Sequence, residues 1–217
     1  GLRRRASRRE RAGDADLLVP LGTLPLALNW SWASRAEDWT ARDWAYNVLM
    51  SVEPYGILVT NGDNDSFPLW YAQKVEGIRE DVTIVLTPYL NTPWYVKQLR
   101  QLTRPCPPGV SADDDATRIL CQRPLDPGGI PAPLVRDGFL AGDAARSPED
   151  TILPLSDEDI AAIAASAYFA PTDLRLRAGA VDTVIPEGTL MLPSDSFVAA
   201  LLQANLGRRP FHFMSPS

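Results

Sequence analysis

Between Gly56 and Tyr71 the chain has to turn a buried strand into a helix within sixteen residues, and few folds allow that. Ile57-Leu58-Val59 is a continuous apolar run, the pattern of a strand covered on both faces in a parallel sheet. Asn61-Gly62-Asp63-Asn64 is turn chemistry, Ser66 offers a helix cap, and Pro68 suits a first helical turn, where a missing N–H breaks nothing. The stretch reads as strand, loop and helix from Pro68 to about Glu76, with Gly77 as the stop. Carboxylates then stand at the carboxyl end of the strand, the crest at which open α/β sheets bind ligands.

Val82 to Leu86 is a second buried strand, completing a βαβ unit, and Phe211 to Met214 a third. A helix from about Asp38 places Ala41, Trp44, Ala45, Val48, Leu49 and Val52 on one face. Thr92-Pro93, Ser156 and Ser194-Asp195 open three more helices. Leu174 to Leu192 reads as short antiparallel strands around Gly179 and Gly188. The expected fold is α/β: a small parallel, Rossmann-like sheet with flanking helices, long Pro/Gly-rich loops and a short antiparallel excursion.

Two segments stand apart. Residues 1–33 form an Arg-rich arm and a membrane-proximal apolar segment, and residues 34–217 form a single extrinsic domain with a loop-rich insertion at 105–150. The net charge is −6, yet residues 1–16 hold six Arg against Glu10, Asp14 and Asp16, so the arm is positive and the body strongly acidic. An acidic body repels nucleic acid, which is therefore not an expected partner. Leu17 to Leu28 is apolar but interrupted by Pro20, Gly22 and Pro25, and is shorter than a bilayer span. It reads as the stub of a span or as an interfacial segment, and a signal-peptide reading is opposed by Asp14 and Asp16. Arg3, Arg4, Arg5, Arg8 and Arg9, with Leu17, Leu18, Trp30 and Trp32, are the expected contacts to a membrane or partner.

Cys106 and Cys121 bracket a Pro, Gly and Asp-rich loop and are either bridged or two unrelated thiols. Together with the sign of the arm, their spacing suggests the periplasmic side of a bacterial inner membrane. There is no phosphate loop, no dinucleotide fingerprint and no nucleophile elbow, so no cofactor is expected. Asp113-Asp114-Asp115 reads as a solvated turn, and His212, the single histidine, as a packed strand residue. Asp63, Asn64 and Asp65 can hold a sugar hydroxyl or Ca²⁺, or can simply cap the helix; no metal site is assigned.

Arg42-Asp43-Trp44-Ala45-Tyr46-Asn47, Thr60 through Tyr71, Val75-Glu76-Gly77-Ile78-Arg79 and Asn91-Thr92-Pro93-Trp94-Tyr95 resemble the soluble segment of a bacterial multi-span membrane family related to protein O-mannosyltransferases. Pro186 to Gly188, Asp195 and Arg209 to Phe213 resemble a later block of the same segment. The resemblance covers roughly half of the chain, and it groups Asn91 with the acidic turn as a candidate ligand residue. It places the family's catalytic acid in a loop near the membrane spans, upstream of anything in this sequence, so no catalytic residue and no enzyme activity are expected here. Two functions follow. One is a non-catalytic extrinsic subunit, a complete but shortened family member, that docks on and stabilises a larger membrane complex, with photosynthetic or respiratory assemblies as candidate hosts. The other is the acceptor- or glycan-binding domain of a glycosyltransferase that uses lipid-linked sugars.

Overall fold

The computed structural model describes residues 19–115, 117, 118, 120–126 and 148–214. It divides into two compact units, residues 1–39 and residues 40–217.

The described part of the first unit is helix α1, residues 19–33. The apolar run therefore continues as helix through Gly22 and Pro25 instead of breaking there. Thr23 Oγ1 donates to Val19 O at 2.9 Å and Asn29 Nδ2 to Pro25 O at 2.7 Å, so both polar side chains fold back onto the helix. What remains outward is apolar: Leu21, Leu24, Leu26, Leu28 and Trp30 are all exposed, and Trp32 is 85 % exposed. Among the described residues no helix is long and apolar enough to cross a membrane.

The second unit is built on a three-stranded parallel sheet. Helix α2 (Thr40–Met50) precedes β1 (Ile57–Thr60), α3 (Asp63–Lys74) leads to β2 (Thr83–Leu86), and a 3-10 turn (Thr87–Asn91) leads to α4 (Pro93–Leu102). Helix α5 (Asp157–Ala164), strands β3 (Tyr168–Phe169), β4 (Leu174–Ala178), β5 (Val181–Ile185) and β6 (Leu190–Met191), helix α6 (Pro193–Asn205) and β7 (Phe211–Phe213) follow. The sheet order is β2-β1-β7, with Ile57 opposite Thr83 on one side and Phe211 on the other. The α/β class and the parallel sheet are as the sequence predicts, with β2 and β7 each one residue shorter. Two antiparallel pairs, β4–β5 and β3–β6, make the excursion, and Gly179 turns the β4–β5 hairpin at φ 52°, where a side chain would be strained.

All four residues of β1 and of β2 are buried because both faces of the sheet are covered. On one face Ile57, Val59 and Val85 pack with Leu90, Val96, Leu99, Phe197 and Leu201. On the other, Leu58, Val82 and Ile84 pack with Ala45, Leu49, Leu69 and Ala72 of α2 and α3. The outer edge of β2 is closed by side chains. Gln73 Nε2 donates to Val82 O at 2.8 Å, and the Tyr95 hydroxyl donates to Ile84 O at 3.2 Å and accepts Leu86 N–H at 2.9 Å. Burial pushes the Tyr95 phenol up to about 12, so it stays a donor at any physiological pH.

Two helix starts differ in detail from the sequence reading, and a third matches it. Helix α3 begins at Asp63 and not at Pro68, so the acidic residues are its first turn, where carboxylates suit the positive end of the helix. Ser66 is not a cap: it lies inside α3, buried, with its Oγ 2.6 Å from Thr60 Oγ1 and donating to Gly62 O at 2.8 Å. Pro68 lies in the body of α3, where it leaves the Asn64 carbonyl without its helical N–H. Helix α6 starts at Pro193. Asp195 reaches back to Leu192 N–H at 2.8 Å, while Asn91, from a distant turn, accepts Ser194 N–H at 3.0 Å. At α5 the expected box forms: Ser156 Oγ accepts Asp159 N–H, and the Asp159 carboxylate accepts Ser156 N–H, both at 3.1 Å.

Below β2, Arg79 and Asp81 form an ion pair closed to solvent, with side chains 1 % and 0 % exposed. The guanidinium meets the carboxylate through Nε at 2.9 Å and Nη2 at 3.0 Å, and its Nη1 donates to Leu49 O and Val52 O at the end of α2. Asp81 Oδ2 also accepts Tyr55 N–H at 2.9 Å. Tyr55 and Arg79 both have positive φ, 57° and 50°, so the carboxylate holds two strained turns at once.

Cys106 and Cys121 are bonded, with Cα atoms 4.9 Å apart. The loop they close is also held by Gln101 Nε2 and Arg104 Nε, each donating to Leu120 O at 2.9 Å. Reducing the bridge should lower the unfolding free energy by about 3 kcal/mol, the chain entropy of a loop of this length. Urea denaturation with and without reductant measures it. An unchanged midpoint would mean that the hydrogen bonds alone fix the loop.

Candidate functional site

A cleft of about 380 Å³ opens at the carboxyl end of the sheet. It takes Thr60 and Asn61 from the end of β1, Thr87 from the end of β2 and Phe213 from β7. Helix α6 supplies Asp195, Val198 and Leu202, and the antiparallel strands supply Leu176, Ile185 and Leu190. The position follows from topology: β1 continues into β2 on one side while β7 pairs on its other side, so loops leave the crest in opposite directions and a crevice is left between them.

Most of the polar groups in the cleft are already engaged. The Thr87 hydroxyl donates to Thr60 O at 2.9 Å, and the Thr60 hydroxyl is bonded to Ser66. One oxygen of Asp195 is held by Leu192 N–H. The Asn61 carboxamide bonds no described residue, so it presents a donor and an acceptor to whatever enters. Asp195 Oδ1 is the second group in that position. Apart from Phe213 and Thr189 the rest of the lining is aliphatic, and it can clasp an apolar segment while fixing one or two polar groups at the crown.

The acidic trio is beside this cleft in sequence but does not line it. Asp63 and Asn64 are exposed and Asp65 half-buried in the first turn of α3. Asn91 is engaged twice, by Ser194 N–H and by Pro88 O, as a clamp between the 3-10 turn and α6. Trp30 and Trp32 lie in α1, whereas Arg3, Arg4, Arg5, Arg8, Arg9, Leu17 and Leu18 lie outside the described residues. Among the described residues no cluster of His, Cys, Asp and Glu is arranged to hold a metal. In the triple-Asp turn each carboxylate has a local partner: Asp113 pairs with Arg123, Asp114 accepts Ser111 N–H, and Asp115 accepts from Thr117. Hydrogen bonds from the Thr117 hydroxyl and N–H hold the Asp115 carboxyl below its usual range. His212 faces away from the cleft and pairs with Glu53 at 2.6 Å.

The sequence reading began its candidate site at Asp63, two residues late on the crest turn, and did not include Asn61 or Thr87. The available signal was position: each follows or ends a buried strand, and in a parallel sheet those are the residues that face the crevice.

A family model described as TMEM260-associated domain 2 matches residues 41–112, about a third of the chain. The match runs from α2 through α4 and includes the crest ends of β1 and β2, whereas α6 and β7 lie beyond it. It makes this part of the chain similar to a family linked to TMEM260, an O-mannosyltransferase-like membrane protein. The comparisons with curated proteins and with solved structures return no match.

Proposed function

We propose that this chain is a membrane-extrinsic, non-catalytic recognition domain of a bacterial O-mannosyltransferase-like membrane protein, and that the crest cleft holds the acceptor or its glycan on the periplasmic side. The observation that carries the reading is the cleft itself: an aliphatic crevice at the switch point of the sheet, crowned by the free Asn61 carboxamide and by Asp195. The TMEM260-linked match over β1 and β2, two of the three strands that form the crest, supports the same reading. Asn61→Ala is the informative variant, because this side chain bonds no described residue and its loss leaves the fold alone. Titration with an unstructured Ser/Thr-rich peptide, and separately with methyl α-mannoside, followed by amide chemical shifts, should show one probe saturating at the crest. Asn61→Ala should weaken it about tenfold, the equivalent of one hydrogen bond of about 1.4 kcal/mol.

The exposed apolar helix α1 favours a second reading, a non-catalytic subunit that docks on and stabilises a larger membrane complex. The same preparation decides between them. If neither probe binds, or the variant binds like the parent, while the chain floats with lipid vesicles, the docking subunit replaces the recognition domain.

A further inference from the structure

A second pocket, of about 440 Å³, lies over the closed edge of β2, between α3, α4 and the disulfide loop. Its features set it apart from the crest cleft. Along one wall, Trp70, Tyr89 and Trp94 form a band of rings, with centroids 6.3 Å and 6.0 Å apart and planes tilted by 41° and 57°. Trp94, 58 % exposed, leaves part of that band open to solvent.

The floor carries two polar groups that have no partner among the described residues. Gln73 is 4 % exposed and lines the pocket. Its Nε2 donates to both Arg79 O and Val82 O at 2.8 Å, which fixes the amide orientation, since the flipped form would set oxygen against two carbonyls. Oε1 then accepts from no described residue. Thr83, 2 % exposed and also lining the pocket, forms no side-chain bond with the described residues. Both residues line the pocket, so these two oxygens are open to whatever occupies it. The charges at the mouth are matched: Glu80 pairs with Lys74 at 2.7 Å and Arg123 at 3.3 Å, and Arg123 also pairs with Asp113.

We propose that this pocket binds a small, uncharged, planar aromatic ligand that bears a ring N–H or hydroxyl donor, with its face on the Trp70–Tyr89–Trp94 band and its donor on Gln73 Oε1. The chemistry excludes the neighbouring classes. A cation meets Lys74 and Arg123 at the entrance, and Tyr89 lies against both tryptophans, so the rings form a band and not a cage. An anion meets no unpaired positive charge. A saccharide could bond Gln73, Thr83 and Gln98, but it would turn its remaining hydroxyls toward Val82, Ile84, Leu99 and Leu102, which offer them nothing. The site is independent of the crest cleft and goes beyond the function proposed for it.

Indole is the probe, with 1-methylindole as the same ring system without the donor. Saturation-transfer NMR and calorimetry on the whole chain should show indole binding, and 1-methylindole binding about tenfold more weakly, the loss expected for one hydrogen bond. Trp94→Ala, at an exposed position that does not carry the fold, should weaken indole by a similar factor, and Asn61→Ala should leave it unchanged. The proposal is overturned if indole shows no saturable binding at millimolar concentration, or if 1-methylindole binds as well as indole. It is equally overturned if methyl α-mannoside occupies the pocket in indole's place.

Discussion

Replacing Arg79 with Ala should remove about 3–5 kcal/mol of stability, the cost of leaving a buried carboxylate without its partner. The loss has three parts that act together. Asp81 keeps only Tyr55 N–H and a single hydrogen bond in place of a bidentate charge pair. Leu49 O and Val52 O at the end of α2 lose the guanidinium that caps them. Residue 79, at positive φ, loses the side-chain bonds that make its conformation tolerable. Urea unfolding followed by tryptophan fluorescence measures the change. The double variant Arg79→Met with Asp81→Asn separates charge from capping. It should cost less than the two single variants added together, because no uncompensated charge remains. A single-variant loss below about 1 kcal/mol, the usual size of an exposed pair, would show that water reaches the site.

Phe197→Ala should cost a comparable 3–5 kcal/mol, by a different mechanism. Phe197 is the largest side chain with no exposure at all, and it packs from α6 against Ile57, Val59 and Val85 of the sheet. Its removal loses apolar burial and leaves a cavity that strands, fixed by their ladders, cannot close. Because Phe197 packs on one face of the sheet while Arg79 bonds the end of α2, which covers the other, and the two share no partner, the two losses should add to within about 0.5 kcal/mol. Differential unfolding of the single and combined variants tests both statements. A Phe197→Ala midpoint indistinguishable from the parent would mean that α6 does not depend on this contact.

Much of this architecture was legible because it is written in local pattern. The apolar runs at Ile57 to Val59 and Val82 to Leu86 specify buried strands, Ser156 and Asp159 specify a helix start, and Gly179 specifies a turn. The errors arise where a distant residue decides. Ser66 looks like a cap, but Thr60 and Gly62 draw its hydroxyl inward. Asn91 reads as a ligand residue, but Ser194 N–H, far along the chain, takes its carboxamide oxygen. The aromatic pocket was invisible for the same reason: Trp70, Tyr89, Trp94 and Arg123 come from separate elements, and each alone reads as a core or surface residue. Apolar periodicity identifies which face is buried but not where two buried faces fail to meet.

The parallel sheet also imposes an order of assembly. Ile57 pairs with Thr83 across one helix but with Phe211 across nearly the whole remaining chain. The second separation is more than two doublings longer, at about 0.6 kcal/mol of closure entropy for each doubling, so β1–β2 pairing is favoured early and β7 arrives late. The crest cleft needs Phe213 and Asp195 and can exist only once that last strand is in place. The aromatic pocket draws its whole lining from residues 70–123 and is complete in the part of the domain that a ribosome delivers first. A ligand held there would meet the nascent chain before the crest exists, and would stabilise the half-built sheet on which β7 must later close.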